Sequence, residues 1–337
     1  MSDAATLLDV CDALLFDLDG TVYRGGDPVP GAADAVSRAR GRDTPVRFVT
    51  NNASKAPEAV VAHLAEVGVP ATDDEVSTSA QAGVRLLAER LEPGANALVV
   101  GTDALADQVA AAGLTPVRTA GDGVAGVVQG HSPETAWPVL AEACLAIRAG
   151  AVWVACNEDT TLPAERGLLP GNGAMVAALR AATGAIPLVA GKPETPLLRL
   201  AADSAGSTHP LVVGDRLDTD IAGAVAADMA SLAVLTGVVT PAGLLVAGPA
   251  QRPGYVAADL AALDEPACRV AVGPQDGWHI DTGGDTLIVA TADLAGETAD
   301  PMALLRALCD AAWRTGTTAV RPGDDAAATA LADLGLT

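Results

Sequence analysis

Short apolar runs alternate along most of the chain with stretches whose apolar positions recur every three or four residues. "ALLFDL" (13–18) precedes a helical pattern near 31–41, and "VRFVTN" (46–51) one near 56–67. "ALVVG" (97–101) precedes 103–113, "GVVQG" (126–130) precedes 135–149, and "VWVACN" (152–157) precedes 173–183. "PLVAG" (187–191) leads to 194–205, "PLVVGD" (210–215) to 219–228, and "SLAVLTG" (231–237) to 241–247. Such alternation predicts βαβ units, parallel sheets and the α/β class. The strand-like runs are too many for one typical sheet, so two α/β bodies are expected. After "RPGYVAADLAAL" (252–263) the pattern changes. "GWHIDTGGDTLIVAT" (277–291) predicts a hairpin around Gly283-Gly284, and a helix follows near 301–315, as in a separate small domain.

The polar exceptions stand at the ends of the apolar runs, which is where ligands bind in parallel sheets. In "DLDGT", Asp17 and Asp19 point to one side of an extended backbone, ~6–7 Å apart. Paired carboxylates repel unless a cation or a shared proton separates them. Mg²⁺ suits them, because it takes hard oxygen ligands together with waters and substrate phosphate. The alternative is a plain Asp19-Gly20 turn. "VRFVTNN" ends on Thr50, Asn51 and Asn52, a hydroxyl and two amides able to donate to phosphoryl oxygens, or to shape a turn. In "VVGDRLDTDIAGA" (212–224), Asp215 stands at a strand end with Asp218 and Asp220 behind it. A helix cap needs one acid, and this loop has three, a number that fits metal ligation. The spacing is not that of an EF-hand.

Composition sharpens one of these positions. The 337 residues hold only two lysines, Lys55 and Lys192, among 20 Lys+Arg. Lys192, between Gly and Pro after an apolar run, is therefore a marked choice for neutralising a phosphate; an exposed loop lysine is the alternative. Against 42 Asp+Glu the net charge is -22, which argues against nucleic acid or an anionic membrane as partner. "MSDAATLLDVCD" does not read as a secretory signal, and no apolar run is long enough to span a membrane. Five scattered cysteines without C-x-x-C predict reduced thiols and a cytoplasmic setting.

The order DxDGT, T-N-N, GKP and GDxxxxD resembles the haloacid dehalogenase superfamily of phosphatases. "LFDLDGTVYRG" (15–25), "FVTNNAS" (48–54), "LPGNGAMVAAL" (169–179) and "VVGDRLDTDIAGA" (212–224) are similar to its branch with a large inserted α/β cap. That branch includes 4-nitrophenylphosphatases, chronophin and the glycerol-phosphate and phosphoglycolate phosphatases. The layout with a tail is similar to that of actinobacterial glycerol 3-phosphate phosphatases, whose tail has an acetyltransferase-like outline. Here the tail lacks the R/Q-x-x-G-x-G/A loop for coenzyme A, so a non-catalytic tail is expected.

The resemblance implies a doubly wound parallel-sheet core (1–80 and 188–258), an inserted α/β cap (81–187) and a small α+β C-terminal domain (259–337). It implies that Asp17 is the nucleophile and Asp19 the acid and then base. Thr50, Asn51, Asn52 and Lys192 would hold the phosphoryl group. Mg²⁺ would sit on Asp17, the main-chain carbonyl of Asp19, and Asp215, with Asp220 and Arg216 orienting from behind. The reaction expected is hydrolysis of a small phosphorylated metabolite, glycerol phosphate first, phosphoglycolate or pyridoxal phosphate as alternatives. A receiver-type signalling domain shares the phosphorylated acid, Thr and Lys, yet needs neither Asp19 nor so long an insertion. The cap segments expected to read the leaving group are the loops "CNEDTTLPAERGLLPGNG" (156–173), with Glu158, Asp159, Glu165 and Arg166, and "QGHSPETAW" (129–137). His131 reads as a surface residue or a ligand, Trp137 and Trp153 as core. The oligomeric state stays open, with a homodimer through the cap as one arrangement.

Overall fold

The apolar runs become strands and the periodic stretches helices in a computed structural model describing residues 5–121, 123–164, 166–292 and 300–337. The first stretch holds β1 (Ala13–Asp17), β2 (Tyr23–Arg24), β3 (Asp27–Pro28), α1 (Ala32–Gly41), β4 (Val46–Thr50), α2 (Pro57–Glu66) and β5 (Val76–Thr78). Next come α3 (Ser79–Ala88), β6 (Asn96–Val100), α4 (Asp103–Ala111), β7 (Thr115–Val117), β8 (Val124–Gln129), α5 (Trp137–Arg148) and β9 (Val152–Ala155). A hairpin of β10 (Thr161–Ala164) and β11 (Gly167–Pro170) leads to α6 (Asn172–Thr183), β12 (Leu188–Val189) and α7 (Thr195–Ala205). Then follow β13 (Pro210–Gly214), α8 (Ala222–Ala227), β14 (Ala230–Val234), α9 (Pro241–Leu245), β15 (Tyr255–Ala257) and α10 (Ala267–Val270). The chain ends with β16 (Trp278–Asp281), β17 (Leu287–Thr291), α11 (Pro301–Thr315), β18 (Val320–Pro322) and α12 (Asp325–Asp333).

The chain forms two compact units, Met1–Val46 with Ala205–Thr337, and Arg47–Ser204. In the first, β15, β14, β13 and β1 pair side by side, all parallel. Ala13 to Phe16 and all of β13 are buried, as strands covered on both faces must be. The tail has its own sheet, with β17 antiparallel to β16 and parallel to β18, which bears out the expected hairpin. Yet its Leu287, Leu304, Leu305 and Leu308 share one apolar cluster with Ile221, Val239, Leu244 and Val256. Buried Arg306 donates from Nε to the Val256 carbonyl at 2.8 Å, and Trp313 Nε1 to the Leu244 carbonyl at 2.9 Å. Each fully buried leucine contributes roughly 1.5–3 kcal/mol, so the tail is bound into this unit's core.

The second unit holds a five-stranded parallel sheet, β12-β9-β8-β6-β7. Val84, Leu87, Leu105 and Val109 of α3 and α4 pack in one cluster with it, and Ala143, Ile147, Val176 and Leu179 of α5 and α6 in another. Two separate helical layers on one sheet explain why its strands read as continuous apolar runs. The parallel pair β4·β5 belongs to this unit too.

Three local expectations change. The stretch 219–228 is not one helix: a π-helical turn, Leu217–Ile221, precedes α8. In place of a loop, 161–170 forms the antiparallel β10·β11 hairpin, whose second strand is exposed along its length and so lacks the in-out alternation that would have flagged it. Trp153 is core, but Trp137, the first residue of α5, is 79% exposed, because α5 buries Ala143, Ala146 and Ile147 instead.

Candidate active site

In the first unit, β1 delivers Asp17 at its carboxyl end, and β13 ends one residue before Asp215. The π-helical turn brings Asp220 back toward that end: its amide donates to the Arg216 carbonyl at 3.1 Å, and its Oδ2 accepts the Arg216 N–H at 3.1 Å. As a result, one carboxylate oxygen each from Asp17, Asp215 and Asp220 lies within 4.8 Å of the other two. Asp215 and Asp220 are 1% exposed. Asp215 is held by main chain, its Oδ2 accepting from Val238 N–H at 2.7 Å and its carbonyl from Val239 N–H at 2.8 Å. The backbone at Gly20 and Gly237 comes so close that a Cβ at either would collide with the Asp215 carboxylate.

Three convergent carboxylates cannot stay ionised together without a compensating cation. The donor set is all oxygen, packed to fixed positions, and suits a hard divalent ion. Asp19 stands apart. It is exposed, and its Oδ1 accepts the Gly25 N–H at 3.4 Å. Tyr23 registers both acids: burial, then the Asp19 and Asp17 charges, push its phenol well above the usual range. The Arg216 guanidinium is bound at 2.7 Å to Asp218, where both side chains are about half exposed.

The second unit gathers neutral polar groups. Thr50, at the end of β4, accepts the Asn52 N–H on its Oγ1 at 3.1 Å. Asn52 Oδ1 accepts from Ser54 N–H at 2.8 Å, Ser54 Oγ at 2.9 Å and Lys55 N–H at 3.3 Å, so this amide shapes the turn. Asn51 is committed differently. Its Oδ1 accepts the Lys192 N–H at 2.8 Å, and its Nδ2 donates to the Lys192 carbonyl at 3.0 Å and to Asp159 Oδ1 at 3.3 Å. Lys192 is 4% exposed, and its Nζ donates to the Val49 carbonyl at 3.3 Å. Asn51 and Lys192 are thus brought together, whereas Asn52 Oδ1 is directed to its own loop.

Among the cap residues, Glu158 pairs with Arg180 at 3.1 Å and Arg166 is exposed; Glu165 lies outside the described residues. Ser132 to Thr135 line a separate cleft of about 530 Å³ with Thr102, Asp103 and Arg118. His131 is part-buried, and desolvation holds its pKa below the usual value. The sequence reading passed over Thr236, whose Oγ1 donates to the Gly20 carbonyl at 2.7 Å, and Ser79, whose Oγ donates to the Asn51 carbonyl at 2.5 Å. It also passed over Asn157, whose Nδ2 donates to that same carbonyl at 2.7 Å. The available signal was position: Thr236 and Asn157 each stand just past an apolar strand.

A family model described as haloacid dehalogenase-like hydrolase matches residues 14–115, and an HAD-hydrolase-like model matches 189–263. A GCN5-related N-acetyltransferase-like model matches 275–336. The chain is 52% identical over 305 residues to a D-glycerol 3-phosphate phosphatase of Mycobacterium tuberculosis, covering 90% of this chain and 86% of the relative. It is similar to the crystal structure of a glycerol phosphate phosphatase from Mycobacterium tuberculosis in complex with magnesium. There the TM-score is 0.92 at 49% identity, covering 98% of this chain and 99% of that one. The same enzyme is also solved in complex with calcium. A 4-nitrophenylphosphatase from Thermotoga maritima matches with a TM-score of 0.71 at 29% identity, over 77% of this chain and 98% of that one.

Proposed function

The chain belongs to the haloacid dehalogenase-like hydrolases and is a phosphoric monoester hydrolase; from that premise we propose that it hydrolyses glycerol 3-phosphate, or its enantiomer, with Mg²⁺ through an aspartyl-phosphate on Asp17. The observation that carries the reading is the convergence of Asp17, Asp215 and Asp220 within 4.8 Å. Asp17, Asp215 and the Asp19 main-chain carbonyl, with Asp220 orienting from behind them, are the groups we assign to the ion. When bound, it neutralises charge on the phosphoryl group and on the acids around it.

In this reading Asp17 attacks phosphorus, and the P–O bond to glycerol breaks. Asp19, the more exposed acid, protonates the departing alkoxide and then takes a proton from the water that hydrolyses the acyl phosphate. Thr50 and the Asn51–Asn52 segment hold phosphoryl oxygens, and Lys192 supplies a fixed positive charge in a chain of net charge -22. Asp220 and Arg216 support the Asp215 loop. The cap, residues 81–187, reads the leaving group. Five unpaired cysteines fit a cytoplasmic enzyme, and no described helix is long and apolar enough to cross a membrane. The cap also carries exposed Trp137, Leu145 and Ile186, apolar surface that suits a homodimer.

The test is a metabolite-phosphate panel assayed after chelation and with Mg²⁺ restored. Glycerol 3-phosphate or glycerol 1-phosphate is expected to lead the panel, with activity abolished by EDTA and recovered with Mg²⁺. Full turnover in excess EDTA, or preference for phosphoglycolate or pyridoxal phosphate, overturns the reading. Analytical ultracentrifugation of the intact chain and of Trp137→Glu tests the dimer.

A further inference from the structure

A chain of buried polar side chains runs through the second unit and ends at Lys192. Trp153 Nε1 donates to Gln129 Oε1 at 3.2 Å. Asn172, the first residue of α6, donates from Nδ2 to the carbonyls of Gln129 at 3.3 Å and Asn157 at 2.7 Å. Asn157 Nδ2 donates to the Asn51 carbonyl at 2.7 Å, and its Oδ1 accepts the Asp159 N–H at 3.2 Å. Asn51 then grips the Lys192 main chain through both its N–H and its carbonyl. Gln129, Asn157, Asn172 and Lys192 are each no more than 4% exposed.

Such a chain is a poor way to stabilise a core. Among the described residues Gln129 Nε2 and Asn172 Oδ1 find no hydrogen-bond partner though buried, and unmade buried hydrogen bonds cost stability. Apolar residues would pack the ends of β8 and β9 without that cost. What amides provide is direction: each bond fixes the next carbonyl or amide in one orientation. Asn172 ties two strand ends to one helix N-terminus, and Asn157 passes that constraint to the backbone of Asn51.

We propose that Asn172 and Asn157 are positioning residues for Lys192, setting through Asn51 where the lysine main chain lies and therefore where its ammonium acts. This rests on the assignment of Lys192 to the phosphoryl group made above. The residues that hold the metal lie outside this chain of bonds, so the device affects turnover without affecting metal binding.

The experiment is a double-mutant cycle on kcat in the full-length enzyme, with glycerol 3-phosphate as substrate. It uses Asn172→Leu, which keeps volume but removes the donor, alone and on Asn51→Ala. A misplaced catalytic group costs on the order of 10–100-fold. Asn172→Leu is expected to lose that much in kcat while its Mg²⁺ activation constant stays within about twofold of wild type. On Asn51→Ala its further effect is expected to be under about twofold, since the link is already broken. If Asn172→Leu does not fold, Asn172→Ser, which keeps one donor, carries the same cycle with a smaller loss. Wild-type kcat in the variant, or an equal loss in both backgrounds, overturns the proposal. Lys192→Met separates the premise: if it turns over normally, the lysine assignment fails, whereas an inactive Lys192→Met beside a fully active Asn172→Leu refutes only the positioning.

Discussion

The acid cluster of the first unit and the amide cluster of the second solve opposite problems. Asp17, Asp215 and Asp220 concentrate negative charge, and they are held by main-chain N–H groups and by glycine backbone packed against Asp215. Around Lys192 the side chains are mostly neutral, and they hold one another by amide hydrogen bonds. The first arrangement is costly until a cation arrives. The second is held largely by its own bonds before any ligand arrives. Charge makes one region responsive, and neutrality makes the other a frame.

The largest expected effect separates them outright. Asp17→Asn removes the attacking oxygen, so turnover should fall by on the order of 10⁴–10⁶ with every substrate, and no phospho-enzyme should appear in rapid-quench samples. Measurable acyl phosphate on that variant would remove Asp17 from its role. Asp19→Asn comes next. A proton-transfer group contributes about 10²–10⁴-fold. The loss should lie near the top of that range for glycerol phosphate. It should be smaller in the first step for 4-nitrophenyl phosphate, whose phenolate leaves without a proton. A burst of nitrophenol followed by slow turnover is expected, and equal losses for the two leaving groups would refute Asp19 as the acid.

A third comparison sharpens the contrast directly. Gly237→Ala drives a methyl into the Asp215 carboxylate, whereas Gly25→Ala meets nothing within 4 Å. Both sit in loops of the same unit. Gly237→Ala should raise the Mg²⁺ activation constant by about tenfold or more, since a displaced ligand loses its geometry. Gly25 has φ of 59°, so its alanine variant bears only backbone strain, about 1 kcal/mol of stability, with the metal constant unchanged. A metal titration of the two variants settles it; equal constants would mean that the Asp215 loop tolerates displacement.

The two regions also differ in how far they could be read from sequence. Asp17, Asp19, Asp215 and Asp220 interrupt or follow long apolar runs, and a charge in that position has few structural explanations. The parallel α/β pattern was equally plain, because sheets buried on both faces leave unbroken apolar runs. Asparagine carries no such contrast. Asn51, Asn52, Asn157 and Asn172 all suit turns and caps by composition, and Asn52 does shape a turn, while the others build the frame. Which asparagine does which depends on partners up to 141 residues away, as Asn51 and Lys192 are. The β10·β11 hairpin was hidden for a related reason: β11 is exposed along its whole length, so it carries no period-2 signal.

The tail offers the smallest effect and a third point of comparison. It lies in the same apolar cluster as Ile221, next to Asp220, and Val239, whose N–H holds the Asp215 carbonyl. Trp313 reaches this region through one hydrogen bond, Nε1 to the Leu244 carbonyl at 2.9 Å, with the Arg252 guanidinium 5.3 Å from its ring centre. Trp313→Phe deletes that donor and keeps an aromatic ring. The Leu244 carbonyl still accepts from Ala247 N–H at 3.2 Å, so it is not orphaned. The cost should therefore stay near that of one ordinary hydrogen bond, about 0.5–1.5 kcal/mol, or roughly 1–4 °C in Tm. Asp215 is gripped by main chain that this change leaves in place, so kcat and the Mg²⁺ constant should remain within about twofold. Thermal melts and steady-state kinetics on one preparation give both numbers. A tenfold loss of kcat without a fall in Tm would place the tail in the chemistry, and the contrast between a responsive region and a frame would need a third member.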